Sequence, residues 1–139
     1  QTRVKTPLFP ESIFLQLYRN NICKFFFVRY QNEILGGIVC PVLDNRIIYE
    51  WFICGEDIKY KSIYPSVLAT WAAMDYANKN GIKIFDFMGA GSPDKGYGVR
   101  EFKSKFGGQL VEYGRYQKVF HPVLFKIGEI GVKYLKANI

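Results

Sequence analysis

Lys103 and Asp86 stand out as residues that could do chemistry, and a run of glycines lies between them. Asp86 interrupts an apolar alternation in GIKIFDFM, on the same face as Ile84 and Met88. An ionised carboxylate in such a strand costs free energy unless it is paired or hydrogen-bonded. Arg100 and Lys103, on the helix that follows, are its candidate partners. Lys103 borders a stripe of Val99, Phe102 and Phe106 at i, i+3 and i+7. A lysine held against apolar neighbours either snorkels, joins a salt bridge, or neutralises developing negative charge. Glu101 and Lys105 point away and form an ordinary i, i+4 surface pair. The loop from Gly89 to Gly98, GAGSPDKGYG, leads into a helix N-terminus whose free N–H groups can bind an anion, although glycines also serve plain turns.

The elements that must position these residues follow from periodicity. Residues 82–88 read as a strand apolar on both faces, and so inside a sheet. Residues 66–80 and 99–106 read as helices packed near it. Val67, Leu68, Trp71 and Met74 are the expected buried stripe of the first. Its Ala69, Ala72, Ala73 and Ala77 mark a thin face for close packing. Upstream, Pro10-Glu11-Ser12 opens a short helix that Asn20-Asn21 ends. Lys24–Tyr30 and Ile34–Leu43 form a hairpin, with a bulge or close approach at Gly36-Gly37. Arg46–Cys54 makes a third antiparallel strand. Gln109–Phe120 reads as a long strand or hairpin arm. Pro122 starts a last helix with Val123, Leu124, Ile127, Ile130, Gly131, Tyr134 and Leu135 inward. The fold class is α/β (α+β), a mixed, mostly antiparallel sheet with helices on both faces.

FDFMGAG followed by YGVREFKSKFGGQLVEYGRY resembles the C-terminal half of the Fem family of peptidoglycan-bridge aminoacyltransferases, whose fold is similar to that of the acetyltransferases (GNAT). The resemblance reaches back through PSVLATWAAMDYANKNG and, more weakly, to about Phe25. It implies transfer of an aminoacyl group from a charged tRNA to an amine of a peptidoglycan precursor, in the cytoplasm. It implies that Lys103 is catalytic and that the Phe102-Lys103 pair handles the aminoacyl end of the donor, with Phe102 a candidate to stack on its terminal adenine. Gly89 and Gly91 of the loop and Arg100 at the helix start are the further candidates for donor binding. Asp86 is expected to be a structural carboxylate, paired chiefly with Arg100. Family members carry two related halves. The chain has no initiating Met and no signal peptide, so residues 1–139 are expected to be one domain of a longer protein.

The region before Pro65 reads CGEDIKYKS, with one glycine. The closely spaced glycines that cradle a pyrophosphate are missing. That counts against coenzyme A as donor and fits the Fem resemblance, which implies aminoacyl-tRNA as the co-substrate, with no cofactor. A coenzyme A thioester used on an envelope lipid or sugar amine is the alternative, and a non-catalytic binding half is a third reading.

Composition sets outer bounds. A chain of 139 residues, 49% hydrophobic and 22% charged, is a folded domain and not a disordered one. A net charge of +7 favours phosphate, nucleic acid or an acidic membrane, or simply confers solubility. Cys23, Cys40 and Cys54 lack CxxC spacing and read as small buried thiols, so no metal is expected. His121, the only histidine, reads as a cap or surface residue, and no Ser-His-Asp or Cys-His set can be assembled.

Overall fold

The computed structural model describes residues 8–91, 96–114 and 116–137. The chain divides into two compact units, Ser12–Gly107 and a second made of Gln1–Glu11 with Gly108–Ile139. The first unit holds a five-stranded sheet and the candidate site. It begins with α1 (Glu11–Arg19), which ends where Asn21 takes φ 51°. Strands β1 (Cys23–Tyr30) and β2 (Glu33–Leu43) form the expected hairpin. Gln31 and Asn32 turn it with φ of 44° and 69°. Such a left-handed pair matches the right-handed twist of the strands it joins. The register slips beside Gly36: Val28 faces Gly36 and Arg29 faces Ile34, which leaves Leu35 as the bulged residue.

The third strand is not continuous. It is split into β3 (Ile47–Tyr49) and β4 (Phe52–Gly55), both antiparallel to β2. Val39 faces Phe52 and Val42 faces Ile48, so Cys40 and Pro41 lie opposite Tyr49, Glu50 and Trp51. That extra residue is a β-bulge. Pro41 supplies its cause. The Val42 N–H bonds Ile22 O on the β1 side at 3.1 Å. Its neighbour Pro41 therefore turns its amide edge toward the third strand, where it has no N–H to give.

Helix α2 (Pro65–Lys79) crosses one face of the sheet, and β5 (Ile84–Asp86) then pairs in parallel with β3. Ala69, Thr70, Ala73 and Ala77 of α2 pack with Ile38, Cys40, Ile48 and Ile82. Helix α1 covers the opposite face. Phe14 meets Trp51 and Phe52 at 5.9 and 5.2 Å between ring centroids, and Tyr18 meets Phe25 at 6.0 Å. The mixed, mostly antiparallel sheet thus has helices on both faces.

Several expectations need correction. The thin alanine face of α2 is the buried one, while Val67, Leu68 and Trp71 are exposed, Trp71 at 60%. Small side chains let the helix backbone approach the sheet, and the larger ones are left outside. Strand β5 is three residues long and lies at the sheet edge among the described residues, with Ile84 52% exposed. Its ladder extends no further than the short β3, and Met88, at φ 58°, leaves the extended conformation. Cys54 is exposed, unlike buried Cys23 and Cys40.

Helix α3 (Gly98–Ser104) closes the first unit. In the second unit, no strand forms over 109–114 or 116–120, because no ladder partner meets this apolar run among the described residues. Helix α4 (Pro122–Ala137) follows, with Val123, Leu124, Ile127, Ile130, Tyr134 and Leu135 exposed instead of inward. Within its own unit it has no sheet to cover. Among the described residues no helix is long and apolar enough to cross a membrane.

The packing of α2 gives a test that runs opposite to a helical-wheel reading. Ala73→Leu should lower the unfolding free energy by about 1–3 kcal/mol through overpacking. Trp71→Ala should change it by no more than about 0.5 kcal/mol. Urea unfolding of the two variants measures both, and the reverse order would show the wrong face assigned to the core.

Candidate functional site

The bulge at Glu50 builds the site. Glu50 follows Tyr49, the last residue of β3, and its N–H donates to Asp86 O at 2.9 Å, which extends the β3–β5 ladder by one bond. The bulge turns its side chain into the interior, where it is 2% exposed. Thr70, the one hydroxyl on the buried alanine face of α2, donates from Oγ1 to Glu50 Oε2 at 3.4 Å. Lys103 Nζ lies 3.4 Å from Glu50 Oε1, and the lysine side chain is 13% exposed. Lys103 also donates to the Phe87 carbonyl, and to Gly89 O at 3.1 Å. An ammonium has three donors. Those of Lys103 thus have two main-chain carbonyls and one buried carboxylate around them.

Lys103 reaches this place because α3 packs through aromatic rings. Phe87 meets Phe85 at 4.9 Å and Phe106 at 5.8 Å, and Phe102 meets Phe106 edge-on at 5.2 Å. These contacts bring the Phe102–Phe106 side of α3 against the end of β5, and Lys103 is carried with it.

Lys103 is therefore paired with Glu50, and Asp86 is not its partner. Asp86 Oδ1 accepts from the Met88 N–H at 2.6 Å, an Asx turn that ends β5. Phe102 is half-buried in the ring cluster. Gly89 contributes its carbonyl to Lys103. Gly91 has a packing reason: at φ 76°, an added Cβ would come 2.6 Å from the Tyr97 ring. Arg100 lies half-buried on α3, its N–H bonded to Tyr97 O at 2.9 Å. Residues 92–95 of the glycine loop lie outside the described residues.

Two partners escaped the sequence reading, Glu50 and Thr70. Both leave a trace there. Glu50 is the one ionisable side chain in IIYEWFI apart from the Tyr49 phenol, and Thr70 is the polar residue beside Ala69, Ala72 and Ala73.

Another carboxylate closes the start of α2. Asp57 Oδ1 accepts from the Ser66 N–H at 2.9 Å, and its Oδ2 accepts from Ser66 Oγ at 2.5 Å. Gly55 presses against the same turn, since a Cβ there would lie 2.5 Å from Ser66 Oγ. The helix N-terminus that an anion would use is already occupied by negative charge. Among the described residues no group of three or more His, Cys, Asp or Glu side chains could hold a metal ion.

The strand–helix order, the lysine on α3 and its place after β5 bear on family. The FemAB family model matches residues 28–132. The chain belongs to the FemAB family. Among solved structures it is similar to an aminoglycoside acetyltransferase, meta-AAC0020, from an uncultured soil metagenomic sample, crystallised with trehalose. The TM-score is 0.59 at 16% identity, over 85% of this chain and 81% of that one, a likeness of fold. No curated protein matches the chain. Family and fold together put this FemAB protein among the acyltransferases.

Electrostatics make Glu50 and Lys103 dependent on each other. Burial pushes the Glu50 carboxyl above its ordinary 4.5, and the Lys103 charge and the bonds from Lys103 and Thr70 pull it part of the way back. The Cys40 thiol, close to the same carboxylate, is pushed up to about 12, chiefly by burial and then by the charges of Glu50 and Cys23. Because the folded value of Glu50 is raised, its protonated form favours the fold at low pH. That contribution is lost as pH rises through the folded value. Lys103→Met removes the charge that offsets the loss. It should cost about 3–5 kcal/mol near neutral pH, the scale of breaking a buried pair. The deficit should shrink as pH falls and Glu50 takes up a proton. Urea unfolding of parent and variant across a pH series measures this, and a deficit independent of pH would mean that Lys103 balances some other charge.

Proposed function

We propose that this FemAB protein transfers an aminoacyl group from aminoacyl-tRNA to an amine of a peptidoglycan precursor, in the cytoplasm. The observation that carries the reading is the pair of carboxylates. One, Glu50, holds a lysine at the end of β5. The other, Asp57, closes the helix N-terminus where a coenzyme A pyrophosphate would be cradled. An acetyltransferase-like fold with that cradle filled calls for a donor held elsewhere, and a net charge of +7 suits a tRNA.

In this reaction the neutral amine attacks the carbonyl carbon of the aminoacyl ester. The carbonyl oxygen becomes an oxyanion. The C–O bond to the ribose then breaks, the amide forms, and the proton lost by the amine ends on the ribose hydroxyl. The step needs positioning and oxyanion stabilisation more than a strong base. Lys103 keeps its contacts with Glu50 and Phe87 O, and its third N–H exchanges Gly89 O, the more exposed acceptor, for the oxyanion. Phe102, Gly89, Gly91 and Arg100 line the approach of the donor's aminoacyl end, with Phe102 offering a ring to its terminal adenine. The basic side of α4, with Lys126 and Lys133, suits an acidic membrane surface that carries the acceptor.

Binding separates this donor from a coenzyme A thioester, the donor that the acetyltransferase-like fold otherwise favours. Affinity of the full-length protein for aminoacyl-tRNA should fall about tenfold or more between about 50 and 200 mM salt, as phosphate contacts release counterions. Coenzyme A should give no measurable heat in isothermal titration. Tight coenzyme A binding with none to tRNA would overturn the reading.

A further inference from the structure

We propose that Glu50 is the positioning residue for Lys103 in the acyl-transfer step, a role that rests on the reading of Lys103 given above. Three separate features converge on this one carboxylate. Pro41 has no N–H to offer where β2 faces the bulge, and the bulge aims Glu50 inward. Thr70 interrupts an otherwise alanine-lined helix face to donate to Oε2. The second oxygen, Oε1, is left for the Lys103 ammonium at 3.4 Å.

A buried ion pair is a weak device for stability alone, since well-packed apolar residues of similar volume often do as well. Its value lies in geometry. Two of the acceptors around Lys103 are carbonyls of Phe87 and Gly89, on the segment that leaves β5. Those two alone would let the ammonium follow the segment as it moves. Glu50 lies in the bulge between β3 and β4 and is buried, so it ties the ammonium to the sheet. It fixes where the third N–H points when the Gly89 bond is given up. Thr70 in turn donates to one carboxylate oxygen and leaves the other to face the lysine.

The test uses the full-length protein with aminoacyl-tRNA as donor and four variants, Glu50→Gln, Glu50→Asp, Thr70→Val and Lys103→Met. Glu50→Gln retains an oxygen and the side-chain volume and loses the charge. It should lower kcat by about 10- to 100-fold, the scale seen when a group that orients a reacting partner is lost. KM for the donor should stay within about twofold, because the interaction at stake forms only in the transition state. Glu50→Asp should recover part of kcat. In ¹H–¹⁵N spectra, the Lys103 ammonium signal of the parent should be resolved in slow exchange and should broaden in Glu50→Gln. Thr70→Val, which keeps the charge, should lower kcat by a smaller factor with the same KM, and it decides the matter if Glu50→Gln does not fold. Parent-like kcat in a folded Glu50→Gln or Thr70→Val protein, with Lys103→Met inactive, would overturn the role of Glu50 alone. Parent-like kcat in Lys103→Met would overturn the reading of Lys103 and this role with it.

Discussion

A buried carboxylate that needs a cation organises this domain. Removing Glu50 from water is costly, and the cost is met by one ammonium and one hydroxyl. That requirement reaches into most elements of the first unit. Strand β2 must break its ladder at Pro41, the third strand must bulge at Glu50, α2 must carry Thr70, and α3 must bring Lys103 back to the end of β5. Phe87 just past β5, with Phe102 of α3 and Phe106 just past it, holds that last approach in place. Asp86, the carboxylate that draws the eye in the sequence, has a smaller role. Its Asx turn stops β5, so that the carbonyls of Phe87 and Gly89 can face the lysine.

Much of this was legible in the sequence, and the failures have physical causes. Turn and cap residues act locally, so the hairpin at Gln31-Asn32, the stop at Asn80-Gly81 and the start at Pro65 could be read directly. Lys103 could be placed on the apolar border of α3 because helical angle is a local property too. Which face of α2 is buried could not be read from hydrophobicity. Close packing against a sheet favours small residues, and it put Ala69, Ala73 and Ala77 in the core ahead of Trp71 and Leu68. The Glu50–Lys103 pair is distant in sequence and depends on a bulge set by a proline on another strand. No periodicity reports such a contact. An edge strand that is apolar on both faces, like β5, looks the same in sequence as an interior one.

The same electrostatics bear on what this FemAB domain can hold, and where. A helix N-terminus beside a strand end is a ready anion site. Here Asp57 fills it, and Gly55 brings the strand so close that little space remains. At the other site, the Lys103 ammonium at the end of β5 is balanced by the buried Glu50 carboxylate.

Whether Glu50 and Lys103 act as one unit is measured by a double-mutant cycle. Unfolding free energies of the parent, Glu50→Gln, Lys103→Met and the double variant, all at neutral pH, give the coupling. The double variant should lose less stability than the two single losses added together, by at least about 1 kcal/mol, within the range found for residues in contact. Additive losses would contradict it, because they would mean that each side chain is held by its other partners and neither depends on the other.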